Sequence, residues 1–305
     1  MIDKATADQL NKRASLLAIA VSGFLCILKI FAALYTGSLS VLSSMVDSLS
    51  DIIGSIVTFF AIKISSLPAS ENHRYGYGKI EALSALFQSA FIAASACFII
   101  FGGIKRFKDT TSIEQTSMGL VIMMISLIAT FAIIYYQKRV YRKTQSQAIL
   151  ADSAHYVVDI ATNISIITTL LVVKYFKIFW FDSLVAILIS SYLLYTAYKL
   201  AADAIRMILD VELSKEIRSQ VETSITKLPF VGDIHDLRTR NIGGVYNFEF
   251  HLELDGALSL NQAHAYAHQV EDDLKKLYPR SQVIIHQEPA GIKDDRLDEK
   301  IKNKH

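Results

Sequence analysis

Two carboxylates, Asp47 and Asp51, stand four residues apart in an otherwise apolar run from Leu39 to Ile64, a spacing that stacks them on one helix face. The run is long enough to cross a bilayer, for which about 20 apolar residues suffice. An ionised Asp near the bilayer centre costs about 2.5–3.5 kcal/mol on insertion scales, so a pair of them calls for a compensating cation. His155 and Asp159 repeat the spacing in a second apolar run. If the chain enters from the cytoplasm, a rise of about 1.5 Å per residue puts both pairs near the middle of a core about 30 Å thick. Three carboxylates and one imidazole converging there make a four-ligand site for a hard-to-borderline divalent cation. The simpler alternative is four unrelated polar groups, each satisfied by neighbouring helices. Matched spacing and matched depth in two separate helices weigh against it.

Six segments qualify as the spans that would position these pairs: Ser15–Leu34, Leu39–Ile64, Ile80–Ile104, Met118–Tyr136, Ala148–Val173 and Ile178–Leu200. The fourth and sixth are mostly apolar while the second and fifth carry the ligands, which predicts an inner bundle bordered by lipid-facing helices. Lys29 interrupts the first span and reads as a snorkelling or inter-helix lysine. A chain of 305 residues that is 52% hydrophobic has room for this bundle and one further domain. Its net charge of +2, without a long basic run or an aromatic platform, excludes nucleic acid as a partner. Cys26 and Cys97 each fall in an apolar segment, so neither a disulfide framework nor a cysteine zinc motif is available. The polar first residues predict no removable signal peptide. Lys4, Lys12 and Arg13, with Lys63, Arg74, Lys79, Lys138, Arg139, Arg142 and Lys143, outweigh the basic residues of the opposite loops, which predicts both termini in the cytoplasm.

Residues 1–210 thus form a transmembrane domain, residues 211–290 a soluble α/β domain, and residues 291–305 a charged tail expected to be disordered. In the soluble part, Ser214–Leu228 is an amphipathic helix, Ile234–Arg240 a strand, Tyr246–Leu254 a strand alternating apolar and polar, Leu260–Leu277 a helix and Ser281–Gln287 a strand. The order αββαβ packs two helices on one face of a small sheet, much like a small metal-chaperone domain of ferredoxin-like type. Five of the eight histidines lie here: His235, His251, His264, His268 and His286. His264 and His268 share a helix face, and His286 and Glu288 share a strand face. Such a set can converge on one or two metal ions at the sheet surface or at a subunit interface.

The paired ligands, the Gly78-Lys79-Ile80-Glu81 stretch, His235-Asp236-Leu237-Arg238-Thr239-Arg240, Gln262-Ala263-His264 and Ile284-Ile285-His286-Gln287 resemble the cation diffusion facilitator family, in its bacterial zinc and ferrous-iron efflux branch. The resemblance runs from about Lys12 to Pro289. It implies a homodimeric, proton-coupled exporter of divalent metal in a bacterial inner membrane, with Zn2+ as the expected substrate and structural ion and Cd2+ or Fe2+ as alternatives. It makes Asp47, Asp51, His155 and Asp159 a tetrahedral transport site. It makes His235, His251, His264 and His286, with Glu288, a cytoplasmic zinc site that supports dimerisation, and Lys79 and Asp210 a charged pair near the membrane surface. Two sites depart from the family's pattern. A loop metal site reads here as Ser70, His73 and Tyr77, so His73 remains as one ligand of three, and the position usually held by a bridging Asp is Glu288, with His268 where relatives often have an Asp.

A site of one imidazole and three carboxylates binds metal and protons competitively, and at the midplane it can be opened alternately to either face, so an inward proton gradient would empty it outward. An intramembrane aspartyl protease would instead face two acids from different helices, without a His-Asp pair or a histidine-rich domain. A metal-gated sensor or channel could share every ligand and would differ by moving no protons in exchange. The chain is therefore expected to be a transporter and not an enzyme.

Overall fold

The computed structural model describes the backbone of residues 3–36, 39–106, 117–176, 180–292 and 296–302, and their side chains except those at 32–36, 39–50, 106, 117–120, 122–123, 162–163, 165–176, 180–183 and 302. Two compact units emerge, Ala7–Ile205, and Arg206–His305 together with Met1–Thr6. The first holds the long helices α1 (Lys4–Thr36), α2 (Leu39–Ser65), α3 (Ile80–Arg106), α4 (Ser117–Thr144), α5 (Gln147–Phe176) and α6 (Trp180–Ile208). Even the 27 residues of α2 extend about 40 Å at 1.5 Å per residue, more than a hydrocarbon core needs. Among the described residues, Lys4–Phe31, Ile80–Lys105 and Leu184–Ile208 are stretches apolar and long enough to cross a membrane. The helices overrun the sequence-based limits: α1 begins at Lys4, α4 continues to Thr144 and α6 to Ile208. Hydropathy marks the part that lipid must cover, whereas backbone hydrogen bonds carry a helix on into the polar boundary.

Within this unit α5 is central, with α2, α3 and α4 all against it. Close approach is made by small residues: Ala14, Ala18 and Ser22 line the buried face of α1, and Ala82, Ala85, Ser89 and Ala96 that of α3. Opposite faces carry bulk, as in exposed Phe24 and Phe31 on α1 and Phe98 and Phe101 on α3, the pattern of helices that turn apolar side chains to lipid. Ile62, Val140 and Ile149 form one cluster of the interior, and Ile133, Ile134 and Tyr156 another.

The second unit is an α/β sandwich with α7 (Lys215–Thr226), β1 (Asp233–Ile242), β2 (Val245–Leu254), α8 (Leu260–Leu277) and β3 (Ser281–Pro289). Ser214 caps α7, and Ser259 with Gln262 forms a reciprocal capping box at the start of α8, satisfying donors the helix cannot use itself. Gly243 and Gly244, with φ of 59° and 77°, make the two-residue turn between β1 and β2 that requires positive φ at both positions. The sheet order is β1-β2-β3, with β1 antiparallel and β3 parallel to β2. The parallel pairing needs a crossover, which α8 supplies. Phe248, Phe250 and Leu252 of β2 meet Val221, Ile225, Val270 and Leu274 of α7 and α8 in one core.

The expected disorder after residue 290 does not hold for the described residues. Leu297–Lys302 forms a short helix, α9, against β1. The reason lies in Asp236, at an irregularity in β1 between His235 and Arg238 with φ of 55°. Its carboxylate accepts from the backbone N–H groups of Leu297 (2.8 Å) and Asp298 (2.9 Å), and its own N–H donates to the Asp298 carboxylate (2.9 Å). Arg296 adds an ion pair to Glu253. Charge composition favours solvation until a specific fold presents partners at the right spacing.

Candidate metal centres

The i, i+4 register of α5 puts His155 and Asp159 on one face, and Asp51 of α2 lies opposite. The Asp51 carboxylate is 3.0 Å from His155 Nε2. One ligand atom each from Asp51, His155 and Asp159 lies within 4.8 Å of the others, with Asp51 and His155 buried. Such atoms can close on a divalent ion with small side-chain movements, since zinc–nitrogen and zinc–oxygen bonds are about 2.0–2.2 Å. Phe91 borders the imidazole with ring centroids 5.6 Å apart, and a hollow beside it is lined by Ile53, Gly54, Phe87 and Gln88. The helix α2 includes Asp47, whose side chain lies outside the described residues.

Directly behind this cluster lies a carboxylate that spacing alone did not single out. Asp152, fully buried, accepts from Gln137 Nε2 of α4 (2.5 Å) and from the Ser55 and Thr58 hydroxyls of α2 (3.4 Å each). Ser55 also pairs with the Tyr156 hydroxyl at 2.7 Å, which in turn meets Ser22 of α1 at 2.5 Å. The available signal was a second acid on α5, three residues before His155 and on the same helical face. Glu81 is a further buried carboxylate, taking hydrogen bonds from Ser65 (3.1 Å) and Ser146 (2.6 Å).

In the second unit the sheet register builds the site. His235 of β1 stands opposite His251 of β2, and His251 opposite His286 of β3, one row of imidazoles across the sheet. The next row on that face contains Asp233, Glu253 and Glu288. Adjacent strands are about 4.8 Å apart, which brings neighbouring side chains within reach of one ion. His235, His251 and Glu288 each offer an atom within 4.8 Å of the others. Glu288 joins them: His235 Nε2 is 3.4 Å away, His251 Nδ1 is hydrogen-bonded to it, and His286 Nε2 is 3.5 Å away. Among the described residues His235 Nδ1 is buried without a hydrogen-bond partner, 3.6 Å from the Glu253 carboxylate. Burial pushes the Asp236 carboxyl up, but the Leu297 and Asp298 N–H donors outweigh it and hold it below its ordinary value.

The remaining sequence candidates are not gathered into either cluster. His264 and His268 lie exposed on α8 with their rings 4.5 Å apart, and His268 is 3.3 Å from Glu271, whose carboxyl Lys275 holds below the usual range. His73 is exposed, stacked on Tyr77 at 4.5 Å, and Tyr77 is hydrogen-bonded to Ser70 at 3.0 Å. That loop satisfies itself. Asp210 pairs with Arg240 at 3.4 Å, within the second unit.

Buried groups able to ligate a metal between membrane-length helices, in a chain that also carries a histidine-bearing soluble domain, are the marks of a membrane cation transporter. Residues 15–209 match the cation efflux transmembrane domain, and residues 213–290 match the cation efflux protein cytoplasmic domain. The chain belongs to this cation efflux family, the cation diffusion facilitators. It is 39% identical over 289 residues to the cation-efflux pump FieF of Klebsiella pneumoniae, covering 93% of this chain and 94% of that one. The cation-efflux pump FieF of Citrobacter koseri is 39% identical over 292 residues, covering 94% and 95%. A crystal structure of the cytosolic domain of a cation diffusion facilitator family protein is 27% identical, covers 25% of this chain and 93% of its own, and has a TM-score of 0.24.

Proposed function

We propose that this cation efflux transporter exports a divalent metal, zinc first, in exchange for protons, loading it at a tetrahedral site of Asp47, Asp51, His155 and Asp159. The observation that carries the proposal is the convergence of Asp51, His155 and Asp159 on facing helices in the apolar interior. Intramembrane acids and histidines at such positions mark ion pathways. Asp47 joins them through its place one turn from Asp51 on α2. An imidazole among carboxylates suits a borderline ion such as zinc, with cadmium and ferrous iron as competitors. Because each ligand must shed its proton before it binds metal, loading releases protons, and a proton gradient directed inward drives unloading to the outside.

The second site holds a resident zinc through His235, His251 and Glu288, with His286 beside Glu288. The donor set suits the ion, and the partnerless His235 Nδ1 near Glu253 is arranged for the carboxylate-imidazole-metal relay that such sites use. Bound there, zinc supplies cross-strand cohesion and stiffens a dimerising domain. The protein works as a homodimer in a bacterial inner membrane, with both termini in the cytoplasm.

The test is zinc flux into proteoliposomes under an imposed pH gradient, for the intact chain and for Asp51→Ala. Gradient-driven zinc movement with opposite proton movement, abolished by the substitution, is expected. Zinc flux that continues without proton exchange would make the protein a channel and overturn the antiport reading.

A further inference from the structure

We propose that Asp152 is a positioning residue for the transport site: it pins the axial register of α2 against α5, so that Asp51 faces His155. The inference rests on the proposed role of Asp51, His155 and Asp159 as metal ligands.

The geometry has two rungs. On α2, Ser55 and Thr58 follow Asp51 by four and seven residues and so share its face; on α5, Asp152 precedes His155 by three and shares the face of His155 and Asp159. Asp51 meets His155 at 3.0 Å, and Ser55 and Thr58 meet Asp152 at 3.4 Å. Moving up one helix moves down the other, which is the pairing of antiparallel neighbours. A slip of one residue displaces one rung by about 1.5 Å. Metal-ligand bonds tolerate only about 0.2 Å, so such a slip is fatal to binding.

The knot extends beyond those two helices. Gln137 brings in α4, Gln88 brings in α3 by its hydrogen bond to Thr58, and the Ser55–Tyr156–Ser22 relay brings in α1. Every donor of the inner shell points at the carboxylate. Asp152 is 0% exposed, yet its hydrogen-bond partners are neutral. A buried acid so held is a poor source of stability, and an apolar side chain would pack there at lower cost. Fixing a register is the best-attested use of such groups. The neighbouring titratable groups are Asp51 on α2 and His155 and Tyr156 on α5.

Asparagine separates position from charge. Its carbonyl would accept from Ser55 and Thr58, and its amide would donate to Gln137 Oε1, which is buried without a partner among the described residues, once that amide turns over. Alanine removes the knot. The experiment uses the full-length chain in detergent, loaded with Co2+ in place of zinc, whose visible absorption is strong in a tetrahedral field and weak in an octahedral one. Each spectrum is taken as the difference from the same protein carrying Asp51→Ala, and zinc competition supplies the affinity.

Asp152→Ala is expected to lose the tetrahedral band and to bind zinc about tenfold or more weakly, as removal of supporting residues around metal ligands does. Asp152→Asn is expected to keep the band and stay within about threefold of the intact protein. Unchanged Asp152→Ala overturns the inference, and so does equal loss in both variants, which would assign the role to charge. If Asp152→Ala does not elute as a folded dimer, the double variant Ser55→Ala, Thr58→Val takes its place with the same expectation and the same overturning result. An intact protein whose Asp51→Ala difference shows no cobalt band would refute the transport-site reading itself, an outcome distinct from the others.

Discussion

The two metal sites proposed for this chain would be held in two different ways. In the membrane unit the candidate ligands ride on helices, and their relative height depends on side-chain ties between separate elements, those to Asp152 among them. In the soluble unit they ride on adjacent strands, where backbone hydrogen bonds already fix His235, His251 and His286 side by side. The difference suits the tasks proposed for the two sites. A transport site must be rearranged to release its ion, and side-chain ties can be broken one at a time. A structural site gains from a frame that does not move.

The largest effect expected from this contrast is on transport. Asp51→Ala should reduce zinc uptake by proteoliposomes more than about 100-fold, since losing a supporting residue alone costs about 10–100-fold in affinity. His251→Ala should leave more than about a tenth of the uptake while lowering the zinc bound per chain; equal losses would erase the distinction between the two sites. Chelation should act in the opposite place. Stripping zinc should speed amide exchange in β1, β2 and β3, because an ion at about 100 times its Kd stabilises the bound fold by about 2.7 kcal/mol. Exchange along the buried turns of α5 should change much less.

A smaller effect tests the relay behind His235. Glu253→Gln, which removes the charge facing Nδ1, should weaken cytoplasmic zinc binding about tenfold by titration calorimetry; unchanged affinity would show that His235 is oriented by its strand alone. The smallest concerns the tail. Arg296→Ala should raise amide exchange at Leu297 and Asp298 while costing the domain no more than about 1 kcal/mol, the range of a partly exposed ion pair. Protection that persists would mean the Asp236 cap holds α9 unaided.

Much of this was legible in the residue order. The i, i+4 pairs around Asp51 and His155 stand out because an acid in an apolar run has no cheap explanation, and the alternation of Tyr246–Leu254 assigns its two faces without ambiguity. The bounds of α8, Leu260–Leu277, follow from the Ser259 cap and the following Pro279. Other features depend on partners far away in sequence. Asp152 stands in the same apolar run as His155, but its role as an acceptor shows only when Gln137 and Ser55 are brought against it, and the irregularity at Asp236 matters only because Leu297 and Asp298 arrive there. The histidines of α8 show what spacing leaves open: i, i+4 spacing puts His264 and His268 on one face, and in the single chain that face is exposed.

The imidazole row also has a consequence for how the gene can change. Side chains alternate across a strand, so gaining or losing one residue between α8 and β3 would turn His286 and Glu288 to the opposite face and bring Gln287 forward. Point substitutions at the exposed positions of β3 leave the frame intact, but a single-codon deletion there removes two side chains from the candidate site at once. Length in that short connection is therefore under tighter constraint than the identity of the residues that fill it.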